Sequence, residues 1–463
     1  MRDDRPQHPP ENRPEAHPET PIGPRRHLGM VHAMILALGM IMTTDALKTA
    51  STVAMNAGDW RFYGLWVLGG LISMVGAFCY VEMATAFPDP GGDYSFLTRA
   101  YGRTIGLLFA WSRFSIMHTG WIALMAFLFA DYAGSLVPMG QVGRSLFALV
   151  TVAAMTGLNL LHVRMGFQVQ AGLVVMVALG FAAVIAAAVT LGLTHALPAG
   201  GGAAHAPQFG KVSIALIYVF LAYGGWSDAA TLSAEVSSDR RGMLVAIMGS
   251  LVILMVIYLA LNGAMMIGLG PAALAHSTAP AAELMGRAFG PTGKTLIVAI
   301  VGGSAVASIN SMLIVGARTT YAAARDTPAL HRFGRWDAER GTPARAVLAE
   351  GGCAMLLVIA ASFATSGFNA MIDYMTPVYW FFIALSMGAL MLLRRRFPDA
   401  PRWGRTPLYP LFPVSFMLLA IYMFVTSLFD LGVGALYGAG VMAAGAVIVV
   451  LLPRLGGEGV REE

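Results

Sequence analysis

Asp45 and Lys48 stand three residues apart inside an apolar stretch that runs from Leu28 to Ala54. That spacing puts both on one face of a helix. An ionised side chain at bilayer centre costs roughly 2.5–3.5 kcal/mol on insertion scales, so two of them need a reason. One reason is structural: the two pair with each other. The other is functional: Asp45 meets a cationic solute group or carries a proton, and Lys48 stands in for a coupling cation. A second apolar stretch, Val212 to Val236, holds Tyr223-Gly224-Gly225-Trp226 near its centre, with Asp228 half a turn further on. Gly224 and Gly225 supply a backbone that bends, and Trp226 is placed to lie over a solute as a lid. Ser304, Ser308 and Ser311 recur at helical spacing in a third stretch. Small polar residues there suit close packing, or their hydroxyls ligate Na⁺. No His, Cys and carboxylate spacing resembles a metal site, and no nucleophile–base constellation points to an enzyme.

The elements that position these residues are membrane spans. The chain has 463 residues, 57% hydrophobic and 12% charged, against about 25% charged in a soluble domain. At about 20 apolar residues per crossing, twelve spans can be drawn, near 29–56, 62–86, 103–136, 145–163, 167–193, 212–236, 243–268, 295–322, 346–366, 371–393, 409–429 and 432–453. With both termini on the cytoplasmic side, the inner loops and tails hold 23 of the 30 Lys and Arg, and the outer loops hold five. That imbalance is the one the positive-inside rule demands. The net charge of +5 therefore reads as orientation and contact with the bilayer, not nucleic-acid binding. Residues 1–27 carry seven prolines and no apolar core, which reads as a disordered cytoplasmic tail and not a signal peptide. Residues 454–463 read as a second tail. Residues 194–211 form an extracytoplasmic loop, where metal capture by His195 and His205 is not expected. Cys79 and Cys353 both fall in apolar segments and read as small core residues. Arg113 is expected to pair with Glu82 or to snorkel. Asp131, Asp373 and Asp430, near span ends, are expected to be solvated. A short cytoplasmic helix is expected over Ser95–Gly102, and Thr342 with Pro343 reads as the start of span nine.

Spans one and six are both interrupted and are five apart. If 28–193 (spans one to five) and 212–394 (spans six to ten) are inverted repeats, with 395–453 adding spans eleven and twelve, the interruptions are equivalent and face each other. A helix N-terminus attracts an anion through its free N–H groups, and free carbonyls at a C-terminus attract an ammonium group. Together they make a receptor for a zwitterion.

Four stretches then resemble a known family. Phe87 to Gly102 is similar to its loop after span two. Phe220 to Ala230, followed by Glu235, is similar to its broken sixth helix. Gly316 to Asp326 with Gly341 to Arg345, and Pro407 to Pro413, are similar to its span eight with the following loop and to the approach to its span eleven. In this order they resemble the amino acid–polyamine–organocation superfamily, and within it the L-type amino acid transporter-like permeases. The resemblance implies an all-α polytopic membrane protein with a LeuT-type 5+5 inverted repeat, two additional helices and twelve transmembrane helices in all. It also implies secondary active transport of an amino acid by alternating access, as symport or antiport in the inner membrane. The implied substrate-binding residues are Thr43, Thr44, Asp45, Tyr223, Gly224, Gly225 and Trp226. Lys48, Trp226, Asp228, Ser308 and Ser311 are the gating and coupling candidates.

The chain departs from that pattern in three places. Thr43-Thr44-Asp45 replaces a glycine-rich cradle. No Lys lies between Arg164 and Leu193 to fill the span-five cation position, for which Lys48 is the substitute. No Cys lies between Val137 and Arg144, so no disulfide-linked heavy subunit is expected. No cofactor is expected beyond Na⁺ or H⁺ as a coupling ion. Two alternatives stay open: an organic amine carrier with Asp45 as counter-ion, and a sensor that binds its ligand without moving it.

Overall fold

The computed structural model describes residues 34, 38–39, 41–57, 61–89, 91–161, 167–194, 212–229, 240–325, 333–334, 337, 343–402 and 404–455. Residues 1–27 and 456–463 and nearly all of the 194–211 loop lie outside the described residues, as do Thr342 and Glu235. Within them the chain is helical: α1 (Ala46–Ala57), α2 (Arg61–Ala86), α3 (Asp93–Tyr101), α4 (Arg103–Ser112), a π-helical turn (Arg113–His118), α5 (Thr119–Leu136), α6 (Gln141–Leu160), α7 (Phe167–Leu193), α8 (Val212–Ala222), α9 (Trp226–Ala229), α10 (Arg240–Leu269), α11 (Pro271–His276), α12 (Pro280–Arg325), α13 (Ala344–Ala361), α14 (Gly367–Arg396), α15 (Leu411–Asp430) and α16 (Val433–Leu455). Hydrocarbon leaves a backbone no other hydrogen-bond partner than its own helix. Among the described residues, ten helices are long and apolar enough to cross a membrane. The other two expected crossings are the interrupted ones, represented by the shorter α1 and α8.

Helices five spans apart pack on each other. Span one meets span six (α1 on α8), two meets seven (α2 on α10), three meets eight (α5 on α12) and four meets nine (α6 on α13). Spans six and seven each pack on spans one and two, which also touch each other, and spans three, four, eight and nine all pack on one another. Two halves related by a pseudo-twofold axis would pack in this way. The last two helices sit outside: α15 packs on α14, α16 packs on α14 and α4, and both expose Leu418, Tyr422, Phe429, Leu436 and Tyr437. Exposed aromatic and aliphatic side chains on these helices suit lipid.

Local chemistry explains the remaining breaks. The Asp89 carboxylate accepts from the Gly91 N–H (2.8 Å) and the Ser95 hydroxyl (2.9 Å), an Asx-type turn that launches α3 on the expected short helix. Pro343 directly precedes α13. The long α12 is two helices joined at Gly290, whose φ of 64° only glycine adopts without strain, with Pro291 starting the second. Cys79 is buried, and Cys79 and Cys353 are free thiols.

Candidate functional site

Span one loses helical form at Met42–Asp45, before α1 begins at Ala46. Threonine and aspartate side chains compete for backbone groups, which favours turns and helix starts over helix interiors. Asp45 immediately precedes α1, where a carboxylate suits the free N–H groups and the helix dipole. It is fully buried, beside the Thr43 hydroxyl and the first amides of α1, and neither of its oxygens has a fully formed hydrogen bond among the described residues. The Ile41 carbonyl, one of those the break frees, accepts from the Tyr258 hydroxyl at 3.3 Å. The Thr44 hydroxyl donates to Ser304 on α12 at 3.2 Å.

Span six breaks at Tyr223–Gly225, between α8 and α9. Gly225 has φ of 90°, and a Cβ on Gly224 would stand 2.9 Å from the Leu221 carbonyl oxygen. Both glycines are therefore dictated by backbone geometry. The two breaks border one cavity of about 180 Å³. Drug-sized sites run to about 300–1,000 Å³, so this one suits a smaller solute. Thr43 comes from one break, and Gly224, Gly225 and Ser227 from the other. Aromatic and aliphatic walls come from Trp121, Phe220, Met312, Met375 and Trp380. Polar groups reach it as Asp93, Thr376 and Tyr379, and as Arg113 and His118 from the π-helical turn.

The structure distributes the predicted residues unevenly. Thr43, Gly224 and Gly225 line the cavity; Thr44, Asp45, Tyr223 and Trp226 do not. Tyr223 turns away, donating its hydroxyl to the Trp66 carbonyl at 3.0 Å and packing against Tyr258. Trp226 is not placed as a lid: it is buried edge-on between Tyr80 (5.1 Å) and Phe416 (6.0 Å). Phe220 and Trp380, in edge contact at 5.1 Å, take the aromatic wall instead. Asp228 falls on α9, and its side chain lies outside the described residues. Ser308 and Ser311 are half-buried on α12, one and two turns beyond the Ser304 that meets span one.

The charged groups find partners the sequence does not suggest. Lys48 pairs with Asp131 on α5 and not with Asp45; its ammonium also lies 4.6 Å from the Phe368 ring centre. Asp131 is correspondingly buried, not solvated, and takes Arg144 at 3.5 Å on its other oxygen. Arg113 does not pair with Glu82: its Nε donates to His118 Nε2 at 2.8 Å. Glu82 is fully buried and holds Arg394 through two bonds of 2.6 and 2.7 Å, with Arg402 at 3.4 Å and the Thr406 N–H at 2.7 Å.

The π-helical turn was not expected. Such turns insert one extra residue into a helix and are frequent at functional sites. Here the turn brings Arg113, Met117 and His118 to the cavity. The only sequence signal was an arginine and a histidine in an otherwise apolar span.

Comparison with known proteins agrees with this geometry. A family model described as amino acid permease matches residues 28–452. The chain is 25% identical to the "Large neutral amino acids transporter small subunit 2" of Mus musculus, covering 92% of this chain and 81% of that one. It is 23% identical to the "b(0,+)-type amino acid transporter 1" of Mus musculus, covering 86% and 82%. It is 23% identical to the "Serine/threonine exchanger SteT" of Bacillus subtilis (strain 168), covering 90% and 95%.

Proposed function

We propose, from the premise that this chain belongs to the amino acid permease family, that its substrate is a neutral α-amino acid held singly where spans one and six break. The observation that carries the reading is the shared cavity. Backbone ends at Thr43 and at Gly224–Gly225 face a space with aromatic and aliphatic walls. Arg113, which reaches the cavity, suits the carboxylate, and the carbonyl end of α8 suits the ammonium group. Met312, Ile372, Met375 and Trp380 suit an apolar side chain, in keeping with relatives whose names specify large neutral amino acids or serine and threonine.

Transport then proceeds by alternating access. Spans one, two, six and seven move as a group against spans three, four, eight and nine. The cavity extends from the breaks toward Tyr80, Asp93 and Phe109, on the side where Arg394–Arg396 end α14. By the positive-inside rule that side is cytoplasmic, in an inner membrane with both termini inside. The opposite side is closed by the Lys48–Asp131 pair.

The test is uptake of radiolabelled L-leucine and L-serine by proteoliposomes preloaded with the unlabelled amino acid. Saturable counterflow, competed by neutral amino acids and not by organic amines, is expected. Binding without counterflow would make the protein a sensor, and competition by amines alone would restore Asp45 as a counter-ion. Gly225→Val should abolish that counterflow. A non-glycine residue in left-handed geometry costs about 1–2 kcal/mol, and a β-branched one crowds the cavity as well. Gly64→Ala, whose Cβ would meet nothing within 4 Å, serves as the control and should transport normally.

A further inference from the structure

Behind the cavity lies a buried carboxylate that the binding site does not use. Glu350, on α13, is fully buried, and its Oε1 stands 3.4 Å from His118 Nδ1. Its Oε2 accepts from the Thr320 hydroxyl at 3.4 Å. His118 is buried too, but it reaches the cavity, and its Nε2 accepts from Arg113 at 2.8 Å. Arginine has no acceptor and does not deprotonate in proteins. The Arg113 bond therefore fixes the His118 tautomer: Nε2 carries the lone pair, and the single ring proton sits on Nδ1, which stands 3.4 Å from Glu350 Oε1 with neither atom otherwise hydrogen-bonded among the described residues.

The surroundings leave few competitors for that proton. The turn packs against α12, α13, α14 and α16 as well as its chain neighbours α4 and α5. From α13 come Glu350 and Cys353, which lies near Thr119. From α14 comes Tyr374, whose hydroxyl donates to the Ser115 carbonyl at 3.0 Å. From α12 comes Thr320, while Arg318 points to the exterior. Helix α16 carries no acidic or basic residue before Arg454, and Asp93 lines the cavity itself, accepting from Ser386 at 3.0 Å.

We propose that Arg113, His118 and Glu350 form a proton-binding site that loads one proton with each substrate carboxylate, making the protein a proton–amino acid symporter. The proposal rests on the permease reading above. When a carboxylate in the cavity draws Arg113 away, His118 Nε2 is freed and takes a proton from cavity water. The Nδ1–H bond breaks and its proton passes to Glu350 Oε1, so that imidazole and carboxylic acid are both neutral. One negative charge and one proton have entered together. Release of the substrate returns Arg113 to Nε2. The proton there departs to water, and the Glu350 proton moves back to Nδ1. Linkage makes the coupling reciprocal: whatever the proton adds to substrate affinity, the substrate adds to proton affinity.

The test uses full-length protein in proteoliposomes clamped at zero potential with potassium and valinomycin, with L-leucine and L-serine as probes. With the outside one pH unit more acid than the lumen, one-to-one coupling should drive accumulation about tenfold, since each pH unit is worth 1.36 kcal/mol. Glu350→Gln should keep counterflow and lose accumulation, and Glu350→Leu should do the same, since Glu350 does not line the cavity. Wild-type counterflow without gradient-driven accumulation overturns this proposal alone. Absence of wild-type counterflow overturns the permease reading with it. Variants that still accumulate substrate overturn the relay. If both variants lose counterflow and accumulation in equal measure, the three residues are a structural tie and the proposal fails.

Discussion

Glu82→Gln is expected to be the most destabilising conservative substitution in the chain. The Glu82 carboxylate accepts from Arg394 at both oxygens and from the Thr406 N–H, with the Arg402 guanidinium 3.4 Å away and no exposure to solvent. Donors thus approach from every side. A glutamine keeps the shape, but its NH₂ must face one of those donors, and the charge that balances two guanidinium groups is gone. Removing one partner of a buried ion pair costs about 3–5 kcal/mol, mostly because the surviving charge stays buried. The effect spreads through the fold, since Glu82 ties the inner end of α2 to the end of α14 and to the approach to α15. Arg394 is further held over the Tyr409 ring at 3.7 Å. A melting temperature in detergent several degrees below the parent is the expected result. Arg402→Gln should cost less, because Glu82 keeps its two-bonded partner Arg394. Unchanged melting of Glu82→Gln would show that the cluster carries little of the stability.

The contrast between this cluster and the two breaks shows what the sequence makes legible. Both breaks are written locally. Gly225 must be glycine for its own φ, and Thr43-Thr44-Asp45 divert the backbone with their own side chains, so nearby residues suffice to find them. The side of each helix that faces the cavity is not written locally. Tyr223 and Trp226 flank the glycines, yet both point into neighbouring helices, because Trp66, Tyr80, Tyr258 and Phe416 offer them packing. Charge partners are less legible still. Lys48 has Asp45 three residues away and pairs instead with Asp131, 83 residues on. Arg113 and His118 are five residues apart, about 140° around an α-helix. Only the π-helical turn brings them together, and nothing in the apolar run around them announces it. Glu350 reads as an ordinary residue near the start of span nine, and its place behind the cavity depends on how span nine crosses span three.

Lys48→Met is expected to have the largest effect on exchange among residues outside the cavity. Lys48 lies one turn beyond the break, in the group of spans one, two, six and seven; Asp131 belongs to the opposing group. Their pair joins the groups on the side away from the cavity opening, with Arg144 and Phe368 completing the cluster. The alternating motion proposed above must separate these two side chains once per cycle. Breaking the pair by removing the lysine leaves Asp131 buried with only the half-buried Arg144, a loss of about 3–5 kcal/mol borne by the outward-closed state. That shifts the balance between closed and open by roughly 10²- to 10⁴-fold. Exchange should slow at least about tenfold, because a carrier held open on one side cannot complete its cycle. The cause is separable from damage to the fold. Thr49, beside Lys48, is fully buried in the closed state. A Thr49→Cys probe, with Cys79 and Cys353 replaced by alanine, should react with a membrane-impermeant maleimide from outside only when that side opens. Labelling should rise sharply in Lys48→Met. It should fall back in Lys48→Met with Asp131→Leu, since an apolar pair of similar volume often replaces a buried ion pair without loss. Labelling that is the same in all three proteins would mean that the pair holds the helices together without gating them. Labelling as fast in the double variant as in the single one would mean that the positive charge itself, and not the contact between the groups, controls the outer side.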